Sequence, residues 1–127
     1  MDEKKRFQKY KEQSSHYFEN ALHFIDAGDI EKASEFLWGS LTQALKALAA
    51  SKGMQLRSHR DIREYTMELA KALKDESIKN AFIGAESLHS NFYESGLTLE
   101  DLSIRIPDVK SAVAKILSLV PASEPGK

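Results

Sequence analysis

The sequence predicts an all-α protein, an up-down antiparallel bundle of four to five helices. Three observations carry that prediction. Apolar residues recur at helical spacing along nearly the whole chain, and no segment of useful length alternates with period two. Tight corners built on Gly28-Asp29 and Gly53 separate long amphipathic runs, which bends the chain back on itself. At 127 residues, with 42% hydrophobic and 29% charged side chains, the chain suffices for one packed domain, expected over residues 1–120.

The elements follow in order. The first helix carries a stripe of Phe7, Tyr10, Ser14, Phe18, Ala21 and Ile25 and ends at Gly28, which can take the left-handed conformation a helix stop requires. Asp29 caps a second helix over residues 29–52. Its apolar face, built on Leu37, Leu41, Ala44 and Leu48 and widened by Trp38 and Leu45, is the broadest in the chain and marks it as central. A third helix starts near Ser58 and buries Ile62, Thr66, Leu69 and Leu73. Asp75 caps a fourth, which uses Ile78, Phe82, Ala85, Leu88, His89 and Phe92 and stops at Gly96. Thr98 and Asp101 form a variant capping box that opens a short turn, and Pro107 suits the first position of a last helix ending near Val120. Residues 121–127, rich in Pro and Gly and poor in apolar side chains, read as a disordered tail.

Composition excludes several classes of function. The 18 basic and 19 acidic residues leave a net charge of −1, so binding to nucleic acid would have to come from a local patch. The absence of cysteine removes disulfides, zinc–thiolate sites and thiol catalysis. No apolar run approaches a membrane span, and the charged start MDEKKRF lacks the apolar core of a signal peptide; a cytoplasmic protein is expected. Glycine-rich phosphate loops and hydrolase or zincin signatures are missing, and no cofactor is called for. The corner AGDIEKA resembles a tetratricopeptide turn, but no second copy follows at that family's spacing.

Two histidines stand out. His59 lies in SKGMQLRSHRDIR, where Arg57 and Arg60 flank it at the start of a helix, a setting suited to an anion; the competing reading is a solvated basic face. His89 falls on the inner face of the fourth helix, with Glu86 and Tyr93 in reach on the same side. It reads either as a pocket residue or as a hydrogen-bonded core histidine. Glu86 and His89 have the E-x-x-H spacing of di-iron bundles, but the second such motif is missing. His16, Glu19 and His23 share a wet face without a fourth ligand. No metal site is assigned.

Three pieces, AGDIEKASEFLWGSLTQALKALAASKG, RSHRDI and ESLHSNFYESGL, make the chain resemble HEPN-type helical bundles, and most of all the archaeal PaREP-type paralogous family. The resemblance implies a bundle that often dimerises, with relatives that are metal-independent RNases of toxin–antitoxin and defence systems or partners of small nucleotidyltransferases. Its nuclease members carry Arg, four to six residues, then His. Before His89 those positions hold Gly84, Ile83 and Phe82, and before His59 they hold Met54, Gly53 and Lys52, so no catalytic residue is carried over. The expectation is a non-catalytic homodimeric module that binds a protein partner, such as a nucleotidyltransferase, or a nucleotide or RNA ligand. Candidate contacts are Arg57, His59, Arg60, His89, Asn91 and Tyr93. The alternative is a metal-independent RNase whose arginine is displaced or supplied in trans.

Overall fold

The computed structural model describes the backbone of residues 3–90 and 98–121, and the side chains of residues 6–88 and 98–121. Five helices run in chain order: α1 Glu3–Asp26, α2 Ile30–Ser51, α3 His59–Leu73, α4 Glu76–Ser90 and α5 Leu99–Ser118. No strand occurs among the described residues. The predicted end of the fourth helix at Gly96 and the tail from residue 122 lie outside them.

The corners obey the local chemistry read from the sequence. Gly28 sits at φ 78°, its N–H donates to Ile25 O and the next N–H, of Asp29, to Phe24 O. This pairing satisfies the carbonyls that a helix end leaves open. Gly53 repeats it with Ala50 and Ala49. After α3 the same motif closes on Lys74 at φ 54°, although a side chain in this region costs about 1–2 kcal/mol. At the starts, the Asp29 carboxylate accepts from Lys32 N, and Asp75 accepts from Ser77 N at 2.9 Å. Ser58 and Thr98 each head a reciprocal capping box, with Asp61 and Asp101 respectively.

The last helix departs from the sequence expectation. In place of a turn followed by a helix beginning at Pro107, α5 is continuous from Leu99, with Pro107 in its interior. Proline has no N–H for the Ser103 carbonyl and its ring crowds the preceding turn. Packing outweighs this cost. Leu102, Ile106, Val109, Val113 and Ile116 form one unbroken stripe, and Leu102 is fully buried before the proline is reached. Pro107 itself is exposed.

At the centre lies α2, about 33 Å long at 1.5 Å per residue, in contact with all four other helices. Its buried residues include Leu37, Leu41, Leu45 and Leu48, around which Phe82, Ile78, Leu102 and Ile116 complete the core. α1 lies antiparallel along α2. At their crossing the Ser14 hydroxyl donates to the Ser40 carbonyl at 2.7 Å, both residues being fully buried. Nearby the Tyr17 ring lies over Gly39, 3.0 Å from where a β-carbon would stand, and meets the edge of Phe36. α4 and α5 also pair antiparallel, with Arg105 across Gly84 and Lys115 bonded to Asp75. α3 packs chiefly on α4 and touches α2 less.

Two substitutions test this account by chemical denaturation. Pro107→Ala should raise stability by about 1–3 kcal/mol, because it restores a helical hydrogen bond at an exposed position. Ser14→Ala should lower it by about 1 kcal/mol, the worth of one buried hydrogen bond whose acceptor keeps its helical partner.

Candidate functional site

The start of α3 is shaped by Ser58. Its hydroxyl accepts from Asp61 N at 3.0 Å, while the Asp61 carboxylate accepts from the backbone N–H groups of Arg57 and Ser58 at 2.9 and 3.3 Å. These bonds, led by that from Arg57, hold the Asp61 carboxyl below its ordinary range. A carboxylate therefore already sits at the positive end of the α3 dipole, where the sequence reading placed an incoming anion. Helical spacing then puts His59 and Arg63, one turn apart, on the same side of α3.

That side faces α4. His59 Nε2 bonds Oε2 of Glu86, and the Arg63 guanidinium donates to the same oxygen at 2.9 Å. Burial alone would raise the Glu86 carboxyl, but the bonds from His59 and Arg63 together outweigh it and hold the group below its ordinary value. Against an ionised carboxylate the bonded His59 nitrogen must carry a proton, whichever charge the ring bears. Behind the pair stands Trp38 of α2. Its ring stacks on His59 with centroids 5.3 Å apart and 23° between planes, and it leans on Phe82 at 5.1 Å. Three helices thus meet in a layered cluster: an apolar floor of Phe82 and Trp38, the imidazole above it, and a shared carboxylate at the side. The side chain of Glu86 is 18% exposed and that of His59 47%, so the carboxylate is largely covered while about half of the imidazole meets solvent. Arg63 is half exposed.

The six sequence candidates do not gather here as a set. His59 is in the cluster. Arg57 turns to Gln55, to which its guanidinium donates at 2.7 and 3.1 Å, and Arg60 pairs along its own helix with Glu64 at 3.0 Å in open solvent. His89 follows Glu86 by three residues in α4, but its side chain, with Asn91 and Tyr93, lies outside the described residues. Arg63, Glu86 and Trp38 take the places beside His59. The i, i+4 spacing of His59 and Arg63 was a usable signal for one of them. Glu86 was visible only as a neighbour of His89, and Trp38 only as part of a core stripe.

Such an arrangement can present a planar, half-exposed imidazole on an indole platform beside a guanidinium, which suits stacking and anion contact. Among the described residues no group of histidine and acidic side chains is placed to hold a metal ion. No described helix is long and apolar enough to cross a membrane.

Fold and cluster together define a small all-helical bundle protein with one layered polar–aromatic cluster at the meeting of three helices. The chain belongs to the archaeal PaREP1/PaREP8 family, whose model matches residues 9–113, a span that takes in the whole cluster. No curated protein and no solved structure matches it.

Three carboxylates held below their ordinary range, Asp61, Asp75 and Glu86, make stability fall in acid, and the last two also tie helices together. Folding lowers the proton affinity of Glu86, so its contribution is complete above its ordinary value of 4.5 and disappears as pH falls through the lowered one. Asp75 is bonded by the Lys115 ammonium and by Ser77; it is lowered from 3.8 to about 2 and loses its contribution across that interval. Unfolding free energy should therefore decline on acidification below pH 4.5. Glu86→Gln should flatten the upper part of the decline and Asp75→Asn the lower part, as measured by denaturation at a series of pH values.

Proposed function

We propose that the chain is a non-catalytic helical module, homodimeric and cytoplasmic, that binds a nucleotide or RNA ligand through the open side of the His59 cluster or, failing that, a protein partner. One observation carries the ligand reading: His59 is stacked on Trp38 and steadied by Glu86, yet about half of its side chain faces solvent beside Arg63. A ring fixed in this way loses little freedom when a base stacks on it, and such stacking is worth about 1–3 kcal/mol per base. Arg63 supplies the phosphate contact, with Arg57 and Arg60 as outlying cations.

Trp38 is the single tryptophan of the chain, so its fluorescence reports on this cluster alone. Titration with a short single-stranded RNA and with free nucleotides, repeated across a salt series, should change Trp38 emission. The apparent affinity should fall as salt rises. His59→Ala and Arg63→Ala should each weaken binding about tenfold, the equivalent of about 1.4 kcal/mol. A flat signal with every nucleotide and RNA tried would remove the ligand branch and leave the protein partner, sought by co-purification from the native source.

One observation favours a second reading, a metal-independent RNase with a displaced arginine. Arg63 stands one turn after His59 and shares its carboxylate, whereas the nuclease pattern has the arginine before the histidine. This reading requires RNA cleavage that survives a chelator and is lost in both His59→Ala and Arg63→Ala. Intact RNA after prolonged incubation with the wild type rejects it.

A further inference from the structure

We infer that RNA binding at this cluster takes up a proton on Nδ1 of His59, through which the ring meets a phosphodiester oxygen. This rests on the ligand reading above and adds the atom that makes the contact and its dependence on pH.

The two ring nitrogens of His59 are not equivalent. Nε2 bonds Oε2 of Glu86, and Nδ1 has no hydrogen-bond partner among the described residues. Burial would raise the Glu86 carboxyl, but its bonds from His59 and Arg63 hold it below its ordinary value. It is therefore ionised throughout the range in which an imidazole changes charge, about pH 5 to about pH 8. A carboxylate only accepts, so Nε2 keeps its hydrogen whether or not the ring is charged. The proton that comes and goes is the one on Nδ1. In the neutral ring this nitrogen offers a lone pair, for which a phosphodiester has no donor. In the charged ring it offers an N–H, and a phosphate oxygen accepts it in a charge-assisted bond.

The groups around the ring keep their charge over the same range. From α2 comes the uncharged Trp38 indole, stacked on the imidazole. From α4 comes Glu86, with His89 one turn further on, whose side chain lies outside the described residues. On α3 itself Arg60 is paired with Glu64, and the Asp61 carboxyl, bonded by the Arg57 N–H, is held below its ordinary range. Arg57 is bonded to Gln55. The arginines stay charged at any pH of interest. Arg63 gives one N–H to Glu86 and is half exposed, so it keeps donors for another phosphate of the strand at every pH. Acidification thus adds one donor, on His59, to a site that Arg63 already makes cationic.

The test is calorimetric titration of the full chain with a short oligouridylate lacking terminal phosphates, whose charge is constant over this range. At fixed ionic strength the affinity should rise about tenfold between about pH 8 and about pH 5. Midway, runs in buffers of different ionisation enthalpy should show a net uptake of up to about one proton per strand bound. His59→Gln, shown by circular dichroism to be as helical as the parent, should bind with an affinity that does not change with pH and take up no proton. In the free wild type at about pH 8, nitrogen NMR should show one histidine ring, absent from His59→Gln, with Nε2 protonated and Nδ1 bare. Equal affinity at every pH, or a pH dependence that His59→Gln leaves intact, overturns the proton uptake and leaves the ligand reading standing. The opposite tautomer overturns the choice of Nδ1. No binding at any pH overturns the ligand reading and this inference together.

Discussion

The bundle depends on the burial of α2. Apolar and small residues nearly encircle this helix, and a helix of that kind is stable only when surrounded. The other elements meet this demand in turn: α1 lies along one flank, α4 and α5 pack on the core-facing side, and α3 closes over α4. Alanines 44, 47, 49 and 50 are all buried in α2, which allows so many neighbours to approach one axis. The polar cluster exists because of this arrangement. Trp38 emerges from α2 where α3 and α4 converge, and it gives His59 a surface to rest on.

Within the cluster, charge is balanced locally. One oxygen of Glu86 accepts from both a histidine and an arginine, so neither donor is left to interact with bulk solvent alone. The arrangement ties the first turns of α3 to the last turns of α4 through groups far apart in sequence, and it leaves about half of the His59 side chain exposed. Asp75 and Lys115 make a second such tie between the head of α4 and the end of α5, so α4 is pinned at both of its ends.

Much of the fold was legible because its rules are local. The Gly28 and Gly53 corners, the Asp29, Ser58, Asp75 and Thr98 caps, and the central place of α2 follow from spacing and conformational preference within a few residues. Pro107 was misread because a proline inside a helical pattern usually ends it, and only the tertiary burial of Leu102 reveals why this one does not. The cluster was legible in part. Helical periodicity says which residues share a face but not which face of another helix they meet, and His59 is 27 residues from Glu86. Trp38 was hidden by its own apolar character, since a large aromatic in a wide stripe reads as core whether or not it carries a second ring. Arg57 and Arg60 attracted notice through charge density, yet their partners Gln55 and Glu64 were equally present in the sequence.

The buried bond from Ser14 to the Ser40 carbonyl has a consequence beyond its modest strength. Greasy helices can slip past one another by a full turn, about 5.4 Å, and still bury similar area. Here a slip of that size would break the bond from Ser14 to the Ser40 carbonyl and drive the Tyr17 ring off its glycine notch. The Ser14 hydroxyl and the missing side chain of Gly39 therefore favour the register the hairpin adopts.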